Sequence, residues 1–474
     1  MAAKKRRDPD VPRILRKKLE FVLKTVLKDV KPTEKEMEIT TAYANDIVKR
    51  LKKAVPKSVE IVSVGSVARG TQIRGTSDID IFLLFPKNFT KEQAAEKGME
   101  VAKSIVSKHK NERFEIKYAQ HPYVRLILGD MGITADIVPA FKINNALERI
   151  TAVDRTPLHN KFVNEHLDSE QKDNVRLLKA FLNAHRIHGA DVETEGFSGY
   201  LCELLIYQYE SFIDLISKMA DLQLPLVVLP SRKVILDPKG AEAKALVKRF
   251  NSDFVVVDPT DDNRNVAAAV SKESLARFVV ASRLLFHSPT LDFFYGPKYS
   301  DVYTERKLMR LRKELGLDIY LIHFKVKDVA EDIIWQQLRR FEARLNNELR
   351  ENGFDPAVSL ENVSKEDGII AFFMKTYTIS HSVARGPSIY MHEASSRFTR
   401  AHTKSLGIMF DGDRLISLEE STHKTPKDVI LHTMSSKDGF PSSLKIEGTR
   451  LFVNNMPERI AKLLYAAFMK KTSI

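Results

Sequence analysis

The chain has 474 residues, 75 Lys and Arg against 62 Asp and Glu, a formal net charge of +13 and a pI near 9.4. That length exceeds one ordinary core, so roughly two to four domains are expected, and the basic excess favours a polyanionic partner whose phosphates it would neutralise. A single cysteine, Cys202, excludes an internal disulfide and a thiolate zinc cluster, and no apolar stretch approaches the ~18 residues of a membrane span.

At the N-terminus Lys4-Lys5-Arg6-Arg7 runs into Asp-Pro-Asp rather than an apolar region, so no signal peptide is read and a cytoplasmic protein is expected. Apolar residues at 15, 19, 22, 23, 26 and 27 stripe a helix over Ile14 to Val30 that Pro32 stops. Thr33 and Glu36 form a capping box for a second helix reaching about Leu51. Ile79 to Phe85 is a nearly continuous apolar run that reads as a buried strand, and a helix from about Lys91 to Lys108 follows. Tyr123 to Leu128 and Ile133 to Phe141 read as strands joined by a hairpin at Gly129-Asp130-Met131-Gly132.

From Asp168 the pattern turns helical: Val175, Leu178, Phe181 and Leu182 form one stripe, and Tyr200 to Met219 reads as one long apolar helix. Within it Cys202 reads as a small buried hydrophobe rather than a nucleophile. A strand from Phe254 to Val257 precedes a helix capped by Ser271 and reaching about Phe286, and Ser288 to Tyr299 reads as a linker. Ile319 to Val326 and Gly368 to Ile379 read as strands around a helix striped by Val329, Ile333, Leu338, Phe341, Leu345 and Leu349 and ending at Gly353. Such units favour a sheet with crossover helices, loosely like RNA-recognition folds.

The chemistry concentrates in Val64-Gly65-Ser66-Val67-Ala68-Arg69-Gly70 followed by Ser77-Asp78-Ile79-Asp80-Ile81. Residues two apart on a strand share a face, ~7 Å apart along the chain, so Asp78 and Asp80 are able to converge on metal ions ~3.5–4 Å apart. Asp136, alone among β-branched neighbours on another strand, is the candidate third ligand or base for a 3′-hydroxyl. Gly65 lets backbone N–H groups approach a triphosphate, Ser66 adds a hydroxyl donor, and Arg69 suits bidentate phosphate pairing.

Gly-Ser, a short spacer, Asp-x-Asp and a distant third Asp resemble the DNA polymerase β-like nucleotidyltransferase superfamily. Further segments resemble class I, archaeal-type CCA-adding enzymes (tRNA nucleotidyltransferases): Tyr118-Ala119-Gln120-His121-Pro122-Tyr123-Val124, Asp154-Arg155-Thr156-Pro157, Val175-Arg176-Leu177-Leu178-Lys179, Gly196 to Leu205, Val256-Val257-Asp258-Pro259 and Asn263-Arg264-Asn265-Val266-Ala267-Ala268. The resemblance is dense from about 60 to 290 and thin beyond 300.

The resemblance implies an α+β multidomain chain: a polymerase β-like nucleotidyltransferase head over 1-155, a helical nucleotide-binding neck over 156-295, and a C-terminal α/β tRNA-binding body and tail over 296-474. It implies Asp78, Asp80 and Asp136 as carboxylates for two Mg²⁺ ions, and Gly65, Ser66, Arg69, His159, Lys179 and His188 around the triphosphate of CTP or ATP. Arg264 would read base edges, and the product would be C-C-A on the 3′ end of tRNA. His188 stands where close relatives carry a tyrosine.

The residues by themselves leave other readings open. Lys179 also fits a solvated helix flank, His159 a surface histidine, and Arg264 a local salt bridge with Asp261 or Asp262. His185 and His188 lack a third ligand for a metal site, and a homodimer is left open. Arg385, Arg397, Arg400, His402 and Lys404 form a basic cluster that fits either an RNA surface or a solvated loop. A poly(A) polymerase-type enzyme and a non-catalytic RNA-binding protein are the competing functions.

Overall fold

The computed structural model describes residues 13–472 apart from 77, 107–110, 119–121, 129–131, 297–300, 328–330, 365–366 and 437–439. The Lys4–Arg7 run, Ser77, Gln120-His121, the Gly129-Asp130-Met131 turn, Val329 and the end of the expected linker lie outside the described residues. Contacts divide the chain into two compact units, 1–297 and 298–473. Among the described residues no helix is long and apolar enough to cross a membrane.

The first unit opens with α1 (Arg13–Val30) and α2 (Glu34–Ala54), the latter started by the Thr33/Glu36 capping box. Then come β1 (Glu60–Val64), a one-turn helix α3 (Gly65–Arg69), β2 (Asp78–Phe85), α4 (Lys91–Ser104), β3 (Glu112–Tyr118), β4 (Pro122–Leu128) and β5 (Ile133–Phe141). The sheet order is β1-β2-β5-β4-β3; β2 and β5 run parallel and the other neighbours antiparallel. Both faces of β2 are covered. Ile79, Ile81, Leu83 and Phe85 pack on Ile47 and Leu51 of α2 and Val101 and Ala102 of α4, while Phe82 and Leu84 pack on Val64 and Ala140. Two buried faces explain the unbroken apolar run in the sequence.

The helical layer holds α5 (Thr156–His166), α6 (Ser169–Ala184), α7 (Gly199–Tyr209) and α8 (Phe212–Ala220). A small sheet follows with β6 (Leu226–Leu229), β7 (Val234–Ile235), α9 (Ala241–Phe250), β8 (Phe254–Asp258) and β9 (Asp261–Asn265), ordered β7-β6-β8-β9. Helices α10 (Lys272–His287) and α11 (Asp292–Tyr295) complete the unit. Phe181, Phe197, Phe212, Phe278 and Phe294 share one core with Leu19, Val22 and Val26 of α1.

Two expectations are corrected here. The run Tyr200 to Met219 is two helices, because Glu210 turns to φ +74° and the Ser211 side chain caps a new start by accepting from the Asp214 N–H. The expected linker contains α11, whose Phe294 packs edge-on against Phe181.

Asp154, in the Asp-Arg-Thr-Pro segment, is wholly buried and ties the end of β5 to the start of α5. Its carboxylate accepts from the N–H groups of Phe141, Ile150 and Thr151. That clamp fixes α5 relative to the strand carrying Asp136.

The second unit contains α12 (Asp301–Leu315), β10 (Asp318–Val326), α13 (Glu331–Glu351), β11 (Val358–Val363), β12 (Asp367–Met374), β13 (His381–Ser388), α14 (His392–Ala401), β14 (Gly407–Asp411), β15 (Arg414–Glu420), α15 (Pro426–Ser435), β16 (Leu444–Val453) and α16 (Glu458–Thr472). Its main sheet is ordered β11-β12-β10-β16 with every neighbour antiparallel. Since β10 and β11 both oppose β12, they run parallel to each other with β12 between them, a split strand–helix–strand unit. The crossover is therefore present, but not as a pair of adjacent parallel strands. Strands β13, β15 and β14 form a separate sheet between β12 and α15 in sequence, with α14 carrying no buried residue. Arg385, Arg397, Arg400 and Lys404 are exposed there, and His402 is half-buried against Glu419.

Candidate active site

Asp80 and Asp136 are register partners on the parallel pair β2/β5, and Asp78 lies opposite Thr134. Alternation places all three carboxylates on the same face of the sheet, the face of Phe82 and Leu84. The Thr134 hydroxyl donates to Asp78 Oδ1 at 2.5 Å. Arg125 on β4 donates Nε–H and Nη2–H to the two oxygens of Asp136, 2.7 Å each. Burial first, then the Asp136 charge, pushes the Asp80 carboxyl up to about 7, against the opposing influence of Arg69. Among the described residues no three His, Cys, Asp or Glu side chains form a ready metal cage.

Gly65 opens α3 at φ +79°, and a Cβ there would stand 1.8 Å from Asp80 Oδ2. Only glycine lets the loop lie against that carboxylate. Ser66 and Arg69 sit three apart on the turn that follows, so they share a face. Arg69 is buried and donates Nε–H to Glu203 Oε1 at 2.9 Å, where the Thr71 hydroxyl also donates at 2.6 Å.

Lys179 Nζ donates to the Thr71 carbonyl at 2.9 Å, and Arg176, one turn earlier on α6, donates to the carbonyls of Gly70 and Gln72 at 2.5 and 3.0 Å. Helices α6 and α7 thus hold residues 69–72 from behind. Burial pulls the Lys179 ammonium below its usual range, opposed by Glu203. Among the described residues His188 Nε2 is buried without a hydrogen-bond partner, and burial, then the Lys179 charge, drops the ring to about 4.

His159 and Arg264 meet at a second carboxylate, Asp258, each 2.9 Å from Oδ2. Lys179 and His159 are therefore buried rather than solvated, and Arg264 does make a local salt bridge, with Asp258 six residues earlier rather than with Asp261 or Asp262. Asp261 instead takes Arg155, at 2.8 Å. His185 turns away from any such site, with Nδ1 2.7 Å from the Phe181 carbonyl. Cys202 is fully buried and its thiol is pushed up to about 12, as fits a small core residue.

Three family models match in series: a nucleotidyltransferase domain over residues 44–159, a tRNA nucleotidyltransferase second domain over 173–295, and a CCA-adding enzyme C-terminal domain over 316–445. The CCA-adding enzyme of Methanocaldococcus jannaschii is 34% identical over 402 residues, 81% of this chain and 85% of that protein. Those of Archaeoglobus fulgidus and Sulfurisphaera tokodaii are each 32% identical, covering 87% and 89% of this chain and 88% and 93% of the relatives. The chain belongs to the CCA-adding enzyme family.

In this CCA-adding enzyme family member the expected site residues fall into two groups. Asp78, Asp80, Asp136, Gly65, Ser66, Arg69 and Lys179 form one neighbourhood across β2, α3, β5 and α6, and His188, just past α6, lies near enough to feel the Lys179 charge. His159 and Arg264 form the other, around Asp258. Sequence reasoning missed Glu203, Thr71, Arg125 and Asp258. Glu203 carried a usable signal, since a lone acid inside an apolar helix must find a partner. Asp258 was quoted inside a matching segment but passed over as a strand end, and nothing local marks Arg125.

Proposed function

We propose that this chain adds C-C-A to the 3′ end of tRNA without a template, using CTP and ATP and releasing pyrophosphate. The single observation that carries the reading is the register of Asp80 with Asp136, with Asp78 on the same face and Gly65–Arg69 packed against it. The carboxylates suit a divalent ion: they are hard oxygen donors, and Asp80 is lifted first by burial and then by the neighbouring Asp136 charge, both of which a bound cation would offset. Two Mg²⁺ ions held by Asp78, Asp80 and Asp136 would, when bound, acidify the attacking 3′-hydroxyl and screen charge at the α-phosphate.

The chain's own groups do the remaining work. Ser66 and the N–H groups of the Gly65 turn cradle the triphosphate, and Arg69, steadied by Glu203, counters its charge. Lys179 supplies a second positive charge, with His159 and His188 as further polar contacts. Arg264 faces the base. The head, neck, and body with tail are read over 1–155, 156–295 and 296–474, the exposed arginines of α14 and β13 serving the tRNA backbone.

Purified protein given tRNA lacking its 3′ end, with each nucleotide separately and together, tests this. Growth limited to C-C-A supports it; long A tails would point to a poly(A)-type enzyme. Asp80→Ala should abolish incorporation with tRNA binding intact, and retained incorporation would remove the metal assignment.

A further inference from the structure

Asp258 ends β8 with its side chain fully buried and both oxygens occupied. Oδ2 accepts from Arg264 Nη1 and His159 Nε2; Oδ1 accepts from the Thr260 N–H at 2.9 Å, the Thr260 hydroxyl at 2.8 Å and the Tyr200 hydroxyl at 3.3 Å. Burial alone would raise this carboxyl, but the hydrogen bonds from His159, Thr260 and Arg264 outweigh it and keep it ionised. Asp258 is thus a fixed anion, held on several sides, against which a guanidinium can be aimed.

Arg264 uses that anchor. Its side chain is 32% exposed, and among the described residues its guanidinium makes one hydrogen bond, through Nη1 to Asp258. Its backbone is pinned as well: the next residue, Asn265, accepts through Oδ1 from the N–H groups of Val256 and Ala267. The remaining donors of the fork stay available beside that anchor.

The same carboxylate reaches the triphosphate side. His159 stacks on Tyr200 with ring centroids 4.1 Å apart, and Tyr200 lies three residues before Glu203 on α7, the residue that holds Arg69. One helical turn connects the two groups of site residues.

We propose that Asp258 is a positioning residue that sets nucleotide choice, by orienting Arg264 toward the base edge and tying that orientation to His159. This rests on reading Arg264 as the base contact. A guanidinium only donates. Cytosine and adenine present an unprotonated ring nitrogen on the pairing edge, whereas uracil and guanine present an N–H there. A donor held at one angle accepts the first pair and rejects the second; a donor free to swing also finds a carbonyl oxygen on uracil or guanine.

The test measures kcat and KM for CTP, ATP, UTP and GTP on tRNA lacking its 3′ end, for the intact protein, Asp258→Asn, Arg264→Ala and the double variant. Asp258→Asn should relax discrimination against UTP and GTP roughly tenfold, mainly through KM for CTP and ATP, and should add nothing once Arg264 is gone. If Arg264→Ala relaxes discrimination and Asp258→Asn does not, the positioning role is overturned while the base contact stands. If Arg264→Ala itself leaves discrimination unchanged, the base contact fails and this role with it. Should Asp258→Asn not fold, Thr260→Val and Tyr200→Phe each remove part of the anchor. Both should relax discrimination in the same direction by less, and unchanged ratios in both would overturn the role.

Discussion

Arg125 grips Asp136 through both carboxylate oxygens, so one of the three aspartates already has a protein cation. A divalent ion and Arg125 compete for the same atoms. Removing Arg125 leaves a buried acceptor unsatisfied, which costs roughly 1–3 kcal/mol, the lower end applying because the arginine is 32% exposed and its charge is screened. Arg125→Ala should therefore melt lower than the parent in chelator and recover more of its Tm on adding Mg²⁺. Equal Mg²⁺-induced shifts in both proteins would mean that Arg125 and the ion do not share Asp136.

Gly65→Ala tests the close approach of the α3 turn to Asp80. A left-handed alanine costs about 1–2 kcal/mol, and the added Cβ must displace Asp80 Oδ2, which stands 1.8 Å from its position. Misplacing a reacting group by about an ångström costs on the order of a hundredfold in rate. Incorporation should fall by that order while tRNA affinity in a filter-binding assay stays unchanged; near-parental rates would show that Asp80 has room to move.

Much of the arrangement of the three aspartates was legible because its signals are local. The alternation around Asp78 and Asp80 and the lone Asp136 each lie within one strand, and the Thr33/Glu36 box spans only four residues. What was hidden depends on pairing at a distance: Arg69 meets Glu203 134 residues later, and His159 meets Asp258 99 residues later. The break at Glu210 was masked because α7 and α8 are both largely apolar, so their periodicity runs on through Ser211. In the second unit, strand–helix–strand spacing reports a crossover but not that β12 would settle between β10 and β11.

Glu203→Gln keeps the shape of the α7 side chain and removes its charge. Arg69 loses its anion and Lys179 loses the influence that opposes its burial, so the lysine ammonium deprotonates at lower pH. A lost charged hydrogen bond is worth roughly 1.5–3 kcal/mol, so KM for CTP should rise about tenfold or more. The alkaline limb of the KM profile should also move to lower pH. A raised KM with an unmoved profile would limit Glu203 to holding Arg69.

His188 offers a stability measurement independent of catalysis. Its ring is dropped from the ordinary 6.5 to about 4, burial being the main cause and the Lys179 charge the second. Below 6.5 the unfolded chain takes up a proton that the folded chain refuses until about 4, so stability falls as pH falls through that window. The loss attributable to this ring is at most about 3 kcal/mol. His188→Gln removes the titration. The variant and the parent should therefore diverge steadily between pH 6.5 and 4 in urea unfolding, with the variant gaining relative to the parent as the solution acidifies. A constant difference across that range would show that the folded protein protonates His188 as readily as the unfolded chain does.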